Sequence, residues 1–457
     1  MSSPAHLKQA AGDSMTMRQR VRSVMSACAG NLIEWYDFFV YAYTAIYFAA
    51  SFFPEGDTTS QLLSTAAIFA VGFFMRPLGG WIFGRLADKR GRKVAMVISV
   101  GLMCASSLLI AVLPTYAMIG YGAPALLLIA RLAQGLSVGA EYGAGATYIS
   151  EVATKGRRAL FGSFQYMTIV AGQLLALLTI IILQNVLTAD QLSAWGWRIP
   201  FLIGAFGAIV VIYLRRSMVE TASKSSMARK EAGSVRAMLK SHPRAVALVI
   251  FFTIGGSLYF YTFTTYMQKF LVLSTGIDKE TASLVMSAAL VGFMLLQPVF
   301  GLLCDKIGVK THMLLFSGLA AVTVVPLLYA IQGASSPLVA FGLILAGLTV
   351  AAFYTPIAGL VKAEMFPIEV RALGVGLPYA VGNAAFGGTA EYVALWLRQA
   401  GIEPMFFYYV AAITSLTFLA ALMMPNLSRH GYLDGDGQVE ANTGGRLFGV
   451  RAVRKQA

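Results

Sequence analysis

Gly84-Arg85-Leu86-Ala87-Asp88-Lys89-Arg90-Gly91-Arg92-Lys93 returns, degraded, 217 residues later as Gly301-Leu302-Leu303-Cys304-Asp305-Lys306-Ile307-Gly308-Val309-Lys310. Both stretches are short charged loops between long apolar runs. A second pair repeats 213 residues apart: Glu151 through Arg158-Ala159-Leu160, and Glu364 through Arg371-Ala372-Leu373. Two features recurring at nearly one offset mark a chain built from two homologous halves.

Working outward from the loops, 57% of the residues are hydrophobic and 12% charged, against about 25% charged in ordinary soluble domains. Mean hydropathy is +0.69. Runs of about 20 apolar residues, enough to cross a ~30 Å hydrocarbon core as helix, fall at 23–50, 59–84, 93–114, 123–150, 159–185, 198–214, 243–271, 280–304, 311–331, 337–363, 372–397 and 404–425. The expected fold is an all-α membrane protein of twelve transmembrane helices in two pseudo-symmetric six-helix bundles. Its divisions are a tail at 1–22, a first bundle at 23–214, a polar linker at 215–243, a second bundle at 244–426 and a tail at 427–457. Internal duplication in a membrane protein points towards a transporter.

Of the 35 Lys and Arg residues, 28 fall in alternate segments: before Val24, then at 85–93, 155–158, 215–244, 306–310, Arg371 and beyond Leu427. By the positive-inside rule that places both termini on the cytoplasmic side. The net charge of +14 is thereby accounted for by many short loops, which argues against a nucleic-acid partner. The first apolar run is too long for a signal-peptide core and reads as a retained helix. Cys28, Cys104 and Cys304 have no metal spacing and read as packing residues, so no metal and no cofactor is expected. His6, His242, His312 and His430 lie in tails, loops or helix ends, which leaves carboxylates as the proton carriers. The glycine-rich tail, with Asp434-Gly435-Asp436-Gly437, lacks calcium-loop spacing and reads as a disordered tail. Trp195, Trp197 and Trp396 read as interfacial anchors.

A charge in mid-membrane costs about 2.5–3.5 kcal/mol on insertion scales, so each one needs a partner, a water-filled space or a task. The first run holds Asn31, Glu34, Asp37 and Tyr41; at helical spacing Asn31, Glu34 and Tyr41 share a face, with Asp37 at its margin. Counting depth at ~1.5 Å per residue puts Glu34, Asp37 and Arg131 in one layer, and Arg76 and Glu141 in another. Each group reads either as a structural ion pair or, for Glu34, Asp37 and Arg131, as two acids facing one base whose proton occupancy responds to substrate. Gly135, Gly139 and Gly143 form a small-residue ladder for close helix approach.

The loop at Gly84–Lys93 resembles the signature between the second and third helices of the major facilitator superfamily. Asn31-Leu32-Ile33-Glu34-Trp35-Tyr36-Asp37-Phe38, Met75-Arg76-Pro77-Leu78-Gly79-Gly80, Arg131-Leu132-Ala133-Gln134-Gly135 and Trp197-Arg198-Ile199-Pro200-Phe201 resemble its metabolite:proton symporter family. Tyr261 to Lys269, Lys362 to Pro367 and Phe386 to Tyr392 are similar to the α-ketoglutarate-carrying branch of that family. The resemblance implies a non-enzymatic carrier in a bacterial inner membrane, coupling protons to uptake of a small dicarboxylate by alternating access. It leaves citrate, shikimate, proline or betaine as alternative substrates, and an efflux antiporter as an alternative direction. A monomer is expected.

The resemblance further implies a conformational latch of Asp88, Arg92 and Glu151 with Asp305, Glu364 and Arg371. Val309 stands where a basic residue is expected, which weakens the second-half latch, and Arg90 stands where the branch carries a histidine. Arg76, Arg198 and Lys269 are the cations expected to meet substrate, with Tyr41, Gln173, Tyr266 and Asn383 as polar neighbours.

Overall fold

The computed structural model describes residues 16–53, 58–215, 220, 233–427 and 431–433. Twelve helical rods run through them: α1 Met17–Phe52, α2 58–90, α3 Arg92–Val112, α4 Gly122–Val152, α5 Arg158–Val186, α6 Ile199–Arg215, α7 Pro243–Thr275, α8 Lys279–Ile307, α9 Val309–Gln332, α10 Pro337–Ala363, α11 371–399 and α12 Pro404–Met423. Among the described residues, ten helices are long and apolar enough to span a membrane; α1, with its polar face, and α11, interrupted at Gly388-Thr389, fall outside that criterion. Most of the linker and the two tails expected at 1–22 and 427–457 lie outside the described residues, including the stretch read as disordered.

Local chemistry sets the ends and the breaks. Thr16 and Gln19 form a capping box at the start of α1, Asp278 caps α8, and Ser336 caps α10 ahead of Pro337. The repeated loops fold alike: Gly91 (φ 103°) and Gly308 (φ 91°) each turn the chain between consecutive helices, at a backbone angle that a side chain would strain. Helix α2 breaks at Met75, because Pro77 has no N–H to donate and its ring crowds the preceding turn. Helix α7 carries π-turns at Thr262–Tyr266 and Leu271–Thr275, and α11 one at Asn383–Gly387. Such turns slip the register and often mark functional positions.

Large apolar side chains such as Phe206, Tyr213, Leu284, Val322 and Leu338 point outward, while Arg76, Arg92, Arg131, Lys362 and Arg371 are buried. That inversion suits a protein solvated by lipid, where backbone groups are satisfied within each helix and charge turns inward. Trp197 is fully buried among Phe48, Phe52 and Phe201, which corrects its reading as an interfacial anchor; Trp195 and Trp396 are exposed.

Candidate substrate and proton site

The two halves meet through α2, α4 and α5 on one side and α8, α10 and α11 on the other. On the face carrying the basic loops they are tied together. Asp88 accepts hydrogen bonds from the Ala372 and Leu373 amides at 3.1 and 3.0 Å, the N-terminus of α11. Asp305 accepts from Ala159 and Leu160 at 2.9 and 3.0 Å, the N-terminus of α5. Glu151 lies between two guanidiniums, 3.3 Å from Arg92 and 3.0 Å from Arg371, and Glu364 lies 3.3 Å from Arg158. Arg92 also pairs with Asp88 at 3.0 Å and donates to the Ile368 carbonyl at 2.9 Å. His242 packs beside Phe366 and Tyr432, where burial lowers its pKa from the ordinary imidazole value, so it adds no cation at neutral pH.

Behind this closed face lies a narrow cavity between the halves, lined by Trp35, Tyr166, Ile169, Ser257, Phe260, Tyr261, Tyr379 and Asn383. Tyr261 sits at the start of the first π-turn of α7, and Asn383 opens the π-turn of α11. Neither the amide nitrogen nor the amide oxygen of Asn383 has a hydrogen-bond partner, although the residue is buried. Buried polar groups are nearly always paired, so an orphaned amide in a cavity wall is an open position for a ligand or water.

Arg76 reaches this region from the break in α2. Its guanidinium lies 3.9 Å from the Phe73 ring centre and 4.6 Å from that of Phe38, and NH1 stands 3.5 Å from the Tyr261 hydroxyl. Its Nε and NH2 donate to nothing. A buried cation with free donors is well suited to a carboxylate. The side chain of its expected counterpart, Glu141, lies outside the described residues.

The acids of α1 separate. Asp37 accepts from Ser107, and from Gln134 Nε2 at 2.5 Å, while Arg131 NH1 donates to Gln134 Oε1 at 2.6 Å. Gln134 thus relays Arg131 to Asp37, and Asp37 Oδ1 has no partner. Glu34 instead lies 2.7 Å from the Ser137 hydroxyl, one turn along α4, and takes no part in the Arg131 relay among the bonds described. The single cluster expected of Glu34, Asp37 and Arg131 is therefore two adjacent ones. The helical pitch explains it: on α1 the two acids are three residues apart, and α4 offers each a different polar residue, Gln134 and Ser137, at the same spacing.

Other expected substrate contacts lie elsewhere. Arg198, in the turn before α6, donates to the Ala111 carbonyl at 2.9 Å and stacks on Trp197, capping a helix end. Lys269 is half exposed and pairs with Glu391. The Tyr266 hydroxyl stands 3.3 Å from Glu403, within a group holding Arg398 and Ser274. None of these three lines the cavity. Tyr41 holds its ring 4.1 Å from the Arg131 guanidinium and donates to the Thr65 carbonyl at 3.1 Å. Gln173, one turn from Ile169 of the cavity wall, donates to Tyr43 at 3.1 Å.

The sequence reading passed over Lys362. It is fully buried, donates to the Tyr142 hydroxyl at 2.8 Å, and lies 4.4, 4.7 and 5.7 Å from the ring centres of Tyr379, Tyr142 and Tyr354. A lysine near a span's end reads as a snorkelling flank, and only the packing of α4, α10 and α11 gathers the three tyrosines around it.

Paired helical halves, a closed charged face and an aromatic-walled cavity beside a buried cation define a membrane transporter and not an enzyme. Models described as Sugar (and other) transporter and Major Facilitator Superfamily match residues 23–223 and 265–436. The alpha-ketoglutarate permease of Escherichia coli (strain K12) is 55% identical over 89% of this chain and 94% of its own length. The inner membrane metabolite transport protein YhjE of the same organism is 33% identical over 91% and 96%, and a putative proline/betaine transporter of Staphylococcus haemolyticus (strain JCSC1435) 33% identical over 88% and 87%. The proton:xylose symporter XylE bound to 6-bromo-6-deoxy-D-glucose shares the fold, with a TM-score of 0.77 at 18% identity over 90% and 96% of the two chains. This chain belongs to the major facilitator superfamily.

Proposed function

We propose that the protein carries α-ketoglutarate into the cell together with protons, across the bacterial inner membrane, with both termini cytoplasmic. One observation carries the reading: Arg76, buried and with two unpartnered donor atoms, stands beside a cavity between the halves. The α-ketoglutarate permease named above, 55% identical along nearly the whole chain, supports the choice of anion.

Binding begins when one carboxylate loses water and takes up the free donors of Arg76, with the orphaned amide of Asn383 available to a second oxygen. Aromatic walls exclude water and strengthen that pairing. The basic-loop face, cytoplasmic on this reading, is latched shut, so the site is reached from the other side; release requires the Asp88, Asp305 and Glu151 ties to part. A dianion accompanied by one proton still moves negative charge against a negative interior, opposed by about 2.3 kcal/mol per 100 mV, whereas two protons make the step neutral. Asp37, with a free oxygen and a relay to Arg131, is the proton carrier, and Glu34 is positioned for the second. Both halves of the site come from one chain, which supports a carrier that works as a monomer.

Uptake of labelled α-ketoglutarate into proteoliposomes, driven by an imposed pH gradient and challenged with citrate, shikimate, proline and betaine, tests this reading. Accumulation above equilibrium, blocked by unlabelled α-ketoglutarate and not by betaine, is expected; betaine-sensitive uptake would overturn it.

A further inference from the structure

Arg76 answers one carboxylate. Lys362 is a second buried cation beside the cavity, and it comes from the opposite half of the molecule. An ammonium has three donors, and here Tyr142 accepts one of them. The remaining surroundings are ring faces, Tyr379, Tyr142 and Tyr354, which attract a cation without taking its protons. Among the described residues no carboxylate lies within 4.0 Å of the Lys362 ammonium. The cage is not remote from the cavity, because Tyr379 belongs to both: its ring stacks on Tyr142 at 3.4 Å between centres, contacts Lys362 and lines the cavity wall.

We propose that Lys362 receives the second carboxylate of the substrate and thereby sets a preference for dicarboxylates over monocarboxylates. The assignment rests on the reading of the cavity as a 2-oxoacid site. An arriving carboxylate takes the place of the Tyr142 hydroxyl at the ammonium. A dianion held by Arg76 on α2 and Lys362 on α10 joins the two halves through its own length, so that recognition of both ends and the rocking of the halves are one event. A betaine offers only one anionic end and a cation that Lys362 repels. A 2-oxoacid with an apolar tail offers Lys362 nothing.

The experiment compares binding of α-ketoglutarate and 2-oxovalerate, equal in chain length but differing in the distal carboxylate, to the purified full-length protein by calorimetry. The wild type is expected to prefer the diacid by about 30-fold or more, as loss of a desolvated charge partner implies. Lys362→Met reduces that preference to about threefold or less by weakening the diacid alone, and Lys362→Arg restores most of it. Retained 2-oxovalerate binding shows that the variant is folded. Equal weakening of both acids, or an unchanged preference in Lys362→Met, overturns the proposal; so does rescue by Glu141→Gln, which would assign Lys362 to an internal pair. The wild type gives a reading that needs no variant: the distal monoamide of α-ketoglutarate binding as well as the diacid overturns it. A wild type that binds neither acid overturns the cavity reading as a whole, whereas one that binds both equally overturns the Lys362 assignment alone.

Discussion

Asp88 and Asp305 make the same contact in opposite directions. Each carboxylate leaves its own half and accepts two backbone amides at the first turn of a helix in the other, Ala372 and Leu373 for Asp88, Ala159 and Leu160 for Asp305. Helix N-termini present unpaired amides and a partial positive charge, so both contacts are electrostatically favourable. They differ in what stands four residues on. Arg92 ties Asp88 to Glu151 and onward to Arg371, whereas Val309 gives Asp305 no cation at the matching position, its nearby charge being Arg157, and Glu364 turns to Arg158 and the Leu433 amide. Asp88→Asn is therefore expected to shift the equilibrium towards an open basic-loop face by about tenfold, near 1.4 kcal/mol, and Asp305→Asn by about threefold or less. Reaction of Ser163→Cys with an impermeant maleimide from that side reports the opening. Equal shifts would refute the asymmetry.

Proton coupling resides in Asp37 on the present reading, since its Oδ1 is free and Gln134 links it to Arg131. Asp37→Asn keeps the size and the contacts to Ser107 but cannot release a proton at any working pH. Accumulation driven by a pH gradient should vanish, while counterflow of labelled for unlabelled substrate retains at least about a third of its rate. Glu34→Gln should lose accumulation as well. Normal uphill uptake in either variant removes that acid from coupling.

Much of the architecture was legible because it is written in contrasts of polarity. The repeated loops became repeated turns at Gly91 and Gly308, and the apolar runs became helices, most with ends within a few residues of expectation. The polar face of α1 was legible too: Asn31, Glu34, Asp37 and Tyr41 are all buried. Direction around the helix axis beyond an irregular turn was not legible. Lys269 follows the π-turn at Thr262–Tyr266, which slips the register by a residue, and it pairs with Glu391 outside the cavity wall. Arg198 ends a short 3₁₀ turn that opens α6, where the Ala111 carbonyl takes its donor. The tyrosines around Lys362 gave no signal, since each is unremarkable within its own apolar run and only the packing of α4, α10 and α11 brings them together.

Arg76→Lys keeps the positive charge and loses the planar fork. A guanidinium grips a carboxylate through two parallel bonds, and a lysine ammonium at the same place is a point charge on a shorter reach. The half-saturation concentration for α-ketoglutarate should rise about tenfold or more, with the maximal rate changed less, and Arg76→Gln should abolish uptake. Quenching of Trp35, which lines the cavity, gives a direct binding readout in the same variants. Unaltered affinity in Arg76→Lys would detach the guanidinium from the substrate.

The glycine ladder of α4 separates into two functions once its neighbours are known. A Cβ on Gly139 would strike the backbone of Arg76 within the same half, while one on Gly143 would come 2.7 Å from the Gly376 Cα, across the interface that closes the basic-loop face. Gly139→Ala is thus a packing defect, costing about 1–3 kcal/mol of stability and lowering the melting temperature. Gly143→Ala leaves each half intact and holds the halves apart, so uptake should fall about tenfold at normal melting temperature while the Ser163→Cys probe reacts faster. Gly101→Ala, with nothing within 4 Å of the added carbon, should change neither. If Gly143→Ala melted early and transported normally in its folded fraction, the contact between α4 and α11 would be one of stability and not of gating.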